Sequence, residues 1–189
     1  MITIIHGGHR EGLSFNAAKT FERLMQEKET IVKFYSLRDH RFEFCCGVQT
    51  CQDSGECIYN DIMTSEIIPS IASSDVLIFF SPTYFNQPPA ILKNFIDRCN
   101  LLLTKEDRKH LRFGAWICGQ TEQGSIEDCY ISLATFAEIC EFKPLETGKI
   151  IRVETDSQQT QLNQDDIVKL QELVKEISQH NFILIGNSE

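Results

Sequence analysis

The chain has 189 residues, 42% hydrophobic and 10% aromatic, enough for a packed core without a covalent staple. Eighteen basic against 27 acidic residues give a net charge of −9, which argues against nucleic acid and anionic membrane as main partners. MITIIHGGHR carries no secretory-signal pattern, and no apolar run approaches the roughly twenty residues of a membrane span, so a cytoplasmic location is the expectation.

Taken in chain order, apolar runs of strand length alternate with segments of helical period. Ile2–Ile5 is a short β-branched strand. Ser14–Gln26 places Phe15, Ala18, Phe21, Leu24 and Met25 on one helical face, with Ser14 as the N-cap. Thr30–Tyr35 is a second strand, and Asp61–Ala72 a helix that Pro69 kinks or shortens. Val76–Phe80 is a continuous apolar run of the kind buried on both faces of a sheet. Pro89–Leu103 carries Ile91, Leu92, Phe95, Ile96 and Cys99 at helical spacing. Arg112–Cys118, Ile126–Cys140, Leu145–Val153 and Asp165–Gln179 then read as strand, helix, strand and helix. With no repeat and no linker, this alternation predicts one α/β domain over residues 1–189: a three-layer, doubly wound, five-stranded parallel sheet of order 2-1-3-4-5. Ligands of such sheets bind beyond the carboxyl ends of the strands, at the topological switch point.

Three loops therefore matter. His6–Asn16, HGGHREGLSFN, combines glycines at 7, 8 and 12 with Arg10, Ser14 and Asn16 ahead of a helix N-terminus, the chemistry a phosphate monoester requires. It is neither G-x-x-x-x-G-K-[ST] nor G-x-G-x-x-G, so ATP and a Rossmann-bound dinucleotide are not the first choices. Ser81–Arg98, SPTYFNQPPAILKNFIDR, sets Tyr84, Phe85 and Asn86 directly after a buried strand, where a planar heterocycle finds stacking faces and backbone amides. Cys118–Glu127, CGQTEQGSIE, has Gly119 and Gly124 bracketing polar residues that suit the edge of a ring. Each also has a plainer reading, as a glycine-rich turn or as packing under a proline-rich one.

At these residues the chain resembles the flavodoxin-like FMN proteins, in particular the NAD(P)H-dependent FMN reductases and the related iron–sulfur flavoproteins. GGHREGLSFN is similar to the family's phosphate loop, SPTYFNQPPAILKNFIDR to its P-x-Y-x-x-x-x-P-x-x-L-K-x-F-I-D-R, and CCGVQTCQDSGECIYNDIM to the cysteine segment of the iron–sulfur branch. The resemblance implies non-covalent FMN, reduced by NAD(P)H as a transient co-substrate, in a homodimer or homotetramer. It places His9, Arg10, Ser14, Phe15 and Asn16 around the phosphate. Pro82, Thr83, Tyr84, Phe85 and Asn86 would line the ring, with Gly119 and Gln120 approaching from the third loop. Lys93, Asp97 and Arg98 match family positions too and read as helix and subunit-contact residues, with a surface ion pair as the plainer alternative. Two departures touch the phosphate loop: it is one residue longer before Ser14, and Gly8 stands where the family has serine, removing a hydrogen bond worth about 1 kcal/mol.

A third departure lies in the cysteine-rich loop at 44–58. Against the pattern C-x-x-C-x-x-C-x5-C, Cys45, Cys51 and Cys57 fall on ligand positions, but Val48 stands at the second. Cys46, adjacent to Cys45, is poorly placed to replace it. A [4Fe–4S] cluster takes four thiolates and zinc four ligands, with Cys99, His40 or His9 as the candidates to complete a set. The preferred reading is a loop that keeps parts of a metal segment and holds no metal; a cluster, zinc and a thiol redox pair are the alternatives. His6, His9, His40, His110 and His180 are scattered in sequence and read as incidental, so no catalytic residue is named.

The expectation is an FMN-dependent oxidoreductase passing electrons from NAD(P)H to a small-molecule or protein acceptor. The rivals are a flavodoxin-type electron carrier, consistent with the acidic charge, and a flavodoxin-like binding module that has lost FMN.

Overall fold

The computed structural model describes residues 1–105, 110–120, 125–153 and 158–185. Five strands, β1 (Ile2–His6), β2 (Val32–Ser36), β3 (Val76–Pro82), β4 (Arg112–Gly119) and β5 (Lys143–Val153), form one parallel sheet in the order β2-β1-β3-β4-β5. The helices are α1 (Leu13–Gln26), α2 (Thr50–Ser54), α3 (Ile68–Ala72), α4 (Ala90–Arg98), α5 (Ser125–Ile139) and α6 (Gln164–Ile185). The predicted topology is therefore the observed one, and this order with helices on both faces is the flavodoxin-like fold.

Strand periodicity divides the core in two. Along β3, Val76, Ile78 and Phe80 face α1 and α6 with Ile2, Ile4, Phe21 and Trp116, while Leu77 and Phe79 face the opposite layer with Phe95, Phe113 and Phe136. Both sets are buried, which is why β3 reads as an unbroken apolar run rather than an alternating one. The Phe79 ring packs against Phe95 and Phe113 at 5.9 Å and Phe136 at 6.0 Å, joining α4 and α5 to the sheet.

Several boundaries differ from the sequence expectation. The segment ahead of α3 begins at Met63 as one wide, π-type turn, Met63–Ile67. It lies directly before Pro69, whose ring would collide with a carbonyl four residues back in a regular helix. The helix expected over 89–103 is α4 as far as Arg98, continued by the tighter 3₁₀ winding Cys99–Thr104. β5 starts two residues early and is irregular: Phe113 pairs with Pro144 but Ala115 with Lys149. Glu176 of α6 fixes the extra residues, accepting the backbone N–H groups of Glu146 (3.0 Å) and Thr147 (2.9 Å) and the Arg112 guanidinium (2.7 Å).

Phe79→Ala should cost about 3–5 kcal/mol, because the three surrounding rings belong to three elements and cannot collapse together into the space. Urea denaturation monitored by circular dichroism checks this, with Phe79→Leu expected to lose much less.

Candidate functional site

β1 is paired on both sides, and His6 at its end lies level with Ser36 of β2 and Phe80 of β3. The loops leaving β1 and β3 therefore start at one height, at the switch point of the sheet. Gly7 donates its N–H to the Phe80 carbonyl (2.9 Å) and lies so close to α4 that a Cβ there would come within 2.6 Å of Leu92 Cδ2. His9 and Arg10 form the exposed tip of the loop, and the His9 ring stands 5.6 Å from that of Tyr84.

Gly12, not Ser14, is the N-cap of α1, and no side chain caps the helix. Its backbone ladder begins with Asn16 N–H on the Gly12 carbonyl (3.0 Å), so the N–H groups of Leu13, Ser14 and Phe15 precede it, and no acidic residue lies in the first turn. This helix end attracts negative charge. Ser14 lies two residues past the cap, in the first turn of α1, and is buried, its hydroxyl 3.2 Å from His6 Nε2. Asn16 donates its side-chain amide to the Thr160 carbonyl (2.8 Å), tying α1 to the segment before α6 instead of facing the loop. Phe15 is half-buried, edge-on to His6 and Phe34, with the Arg38 guanidinium 5.8 Å from its ring. Burial, followed by the positive charge of Arg38, pushes the His6 pKa down to about 4, so this imidazole is neutral at physiological pH.

In the second loop, Pro82 and Thr83 are half-buried, and Thr83 N–H bonds the Cys118 carbonyl (2.9 Å). Tyr84 and Gln87 exchange both backbone hydrogen bonds at 3.0 Å and enclose Phe85 (φ 47°) and Asn86 (φ 67°). Positive φ at both central residues is the signature of a type I′ hairpin, which suits asparagine and glycine. Phe85 has no such tolerance, and its side chain is fully exposed, so packing does not offset the strain. The third loop approaches closely: a Cβ on Gly119 would lie 2.6 Å from Thr83 Oγ1. Gln120 is exposed, and Gly124 lies outside the described residues.

The cysteine-rich loop is closed at its neck. Arg98, with 1% of its side chain exposed, holds both carboxylate oxygens of Asp61 (2.8 and 3.0 Å) and the Glu43 carbonyl (2.7 Å). Glu43 N–H bonds Asp61 (3.1 Å), and Asn94, one turn before Arg98, bonds the Cys45 N–H (3.2 Å) and the Glu43 carbonyl (3.3 Å). Arg98 is thus an internal latch and not the subunit contact expected from the sequence. Lys93 and Asp97 do pair on the surface of α4, at 2.5 Å. Asp61 is pushed up by burial, but the Arg98 hydrogen bonds, the Glu43 N–H and the Arg98 charge outweigh this and hold its carboxyl below the usual range.

Cys45, Cys46, Cys51 and Cys57 form no disulfide, and each faces a different neighbour. The neighbouring Tyr59 hydroxyl lowers the Cys46 thiol pKa, Asn100 reaches Cys51 Sγ (3.6 Å), Cys57 is half-buried, and Cys45 is exposed. Among the described residues no three His, Cys, Asp or Glu side chains gather as a metal-ligand set, and the four thiols stand apart. Asn94, and the roles of His6 and Arg98, are what sequence reasoning missed. The spacing of Asn94 and Arg98, four residues apart on one helix face, was the available signal.

The family model for NADPH-dependent FMN reductases matches residues 1–130, and the chain belongs to that family. An iron-sulfur flavoprotein of Clostridioides difficile strain 630 is 28% identical over 110 residues, which cover 56% of this chain and 48% of the relative. The chain thus spans about half the length of that curated relative. An NADH:FMN oxidoreductase solved in its apo form has a TM-score of 0.70 at 13% identity, covering 95% of this chain and 88% of its own. The NAD(P)H:quinone oxidoreductase from Methanothermobacter marburgensis has a TM-score of 0.70 at 16% identity, covering 93% and 94%. At these identities the two structures share the fold. No helix among the described residues is long and apolar enough to cross a membrane.

Arg98→Met leaves the Asp61 carboxylate unpaired and should cost about 3–5 kcal/mol. Because the folded pKa of Asp61 is lowered, the pair's stabilisation is present above the unfolded carboxylate pKa and lost as pH falls through the folded value. Denaturation midpoints measured from neutral to acidic pH should therefore fall less steeply in Arg98→Met than in the parent chain. Thiol-reagent labelling of Cys51 and Cys57, both half-buried, should become faster.

Proposed function

We propose that the chain acts as one domain over residues 1–189, an FMN-dependent oxidoreductase that takes electrons from NAD(P)H and delivers them to a small-molecule or protein acceptor. The observation that carries this reading is the meeting, at one switch point, of an acid-free helix N-terminus and a strained hairpin with an exposed aromatic tip. The donor set fits a phosphate monoester: backbone N–H groups of Leu13–Phe15, and Arg10 at the loop tip as the bidentate cation. Pro82–Asn86 border the ring, with Gly119 and Gln120 closing from β4. His9 beside Tyr84 links the phosphate and ring subsites.

Bound FMN would supply the redox chemistry, accepting hydride from a nicotinamide and releasing electrons to the acceptor. The chain's part is to bind, orient and exclude water. A hairpin held at positive φ presents its backbone amides rigidly, so the ring edge meets donors that need no reorganisation on binding. A cytoplasmic, homo-oligomeric protein is the accompanying proposal.

A second reading, an electron-transfer protein without nicotinamide turnover, is favoured by the name of the iron-sulfur flavoprotein relative and by the net charge of −9. An absorption spectrum after anaerobic purification, with FMN and iron quantified on the same sample and NADH and NADPH oxidation followed at steady state, separates the two. About one FMN per chain with sustained turnover supports the reductase. FMN without turnover supports the carrier, and failure to bind added FMN overturns both.

Phe85→Gly should raise stability by about 1 kcal/mol, since glycine accepts φ 47° and no packing is lost. The same change should weaken FMN binding if the tip contacts the ring. Urea denaturation and flavin fluorescence quenching read the two effects separately.

A further inference from the structure

His6 is fully buried, although it ends the strand that leads into the phosphate loop. Because it stands in register with Ser36 on the neighbouring parallel strand, its Nδ1 meets the Ser36 hydroxyl at 3.2 Å. On the other side its Nε2 meets the Ser14 hydroxyl at 3.2 Å, in the first turn of α1. Phe15 covers the ring edge-on at 5.3 Å. Gly8 lies directly above: a Cβ there would come within 2.7 Å of Nε2. The absence of a serine at position 8 is therefore a steric consequence of His6, because ring and side chain would compete for the same space.

A neutral imidazole has one N–H and one lone pair, so its two serine partners cannot play the same part. In one arrangement Ser36 donates to Nδ1 and Nε2–H donates to Ser14, which leaves the Ser14 hydrogen free to point outward. In the other, Nδ1–H donates to Ser36 and Ser14 spends its hydrogen on Nε2, turning only lone pairs outward. An anion beside the N–H groups of Leu13–Phe15 is compatible with the first arrangement and repelled by the second.

We propose that His6 is a positioning residue for the phosphate subsite: held between Ser36 and Ser14 beneath Gly8, it donates from Nε2 to Ser14 and thereby aims the Ser14 hydroxyl at the bound phosphate monoester. This rests on the FMN reading given above. The hydroxyl that a serine at position 8 would offer is supplied from one layer deeper, by a side chain that is itself fixed. The sequence reading of all five histidines as incidental does not hold for His6 under this proposal.

Two kinds of measurement test it. With FMN and riboflavin affinities measured by fluorescence quenching, Ser14→Ala and His6→Phe should each weaken FMN about tenfold, the loss of one hydrogen bond to a charged acceptor, and leave riboflavin unchanged. The double variant should be no weaker than Ser14→Ala alone, because His6 acts on the phosphate only through the Ser14 hydroxyl. His6→Ala with Gly8→Ser, which clears the ring and restores a hydroxyl at position 8, should regain most of the FMN affinity. Equal losses on FMN and riboflavin, or additive losses in the double variant, overturn the proposal. Long-range ¹⁵N spectroscopy of the intact protein saturated with FMN gives an independent reading: the Nε2–H tautomer is required, and Nδ1–H overturns it whatever the affinities show. If the protein binds neither flavin, the FMN reading fails, and the same spectra with inorganic phosphate decide the question for His6. Shifts of the Leu13–Phe15 amides together with an Nε2–H tautomer support the positioning role towards an anion, and no amide shift or an Nδ1–H tautomer overturns it.

Discussion

The pairing of β1 with strands on both of its sides sets everything that follows. Its five buried residues hydrogen-bond to β2 and β3 in level register, so the chain must leave the sheet from beside Phe80 and Ser36 at once. A parallel sheet admits this only if the connections cross on opposite faces, α1 on one and α3 on the other. The Gly7 bond to the Phe80 carbonyl continues the ladder one step past the strand and fixes where the first loop begins. The helix N-terminus, the hairpin after β3 and the approach of Gly119 are all placed by that edge.

Fold and site were legible to different depths because they depend on different ranges of interaction. The parallel sheet followed from strands alternating with helices and from apolar runs such as Val76–Phe80, and the order from the simplest doubly wound arrangement of five such units. The loops were found from glycine and aromatic punctuation. What stayed hidden was which way side chains turn. Ser14 looks like a cap by residue type, yet the cap is Gly12, two residues earlier, and the Ser14 hydroxyl meets the His6 ring. Asn16 looks like an anion ligand, but its partner is 144 residues away at Thr160. His6 reads as the first residue of the loop, yet it ends β1 and its partners come from two other elements, a coincidence no local pattern encodes.

Arg98 shows the same limit from the other direction. Its motif was recognised, but a charged residue four positions after Asn94 on an amphipathic helix reads as surface. The structure instead buries it against Asp61, Glu43 and Tyr59. Arginine suits this site because its planar fork satisfies both carboxylate oxygens and still reaches a carbonyl. The Asp61-Ile62-Met63 stretch after the cysteines then acquires two structural tasks, the carboxylate in the latch and Met63 in the core.

The latch also bears on how such a chain can change over time. Because Glu43 and Asp61 are bonded to each other and fixed to α4, the ends of the intervening stretch stay together whatever lies between them. Doubling a flexible insert between them would cost only about 0.6 kcal/mol of closure entropy, although Cys51 and Cys57 do pack against the core and Gln52 bonds Asn100. The latch thus confines change in that segment to the side of α4, because its two ends are held together independently of what lies between them.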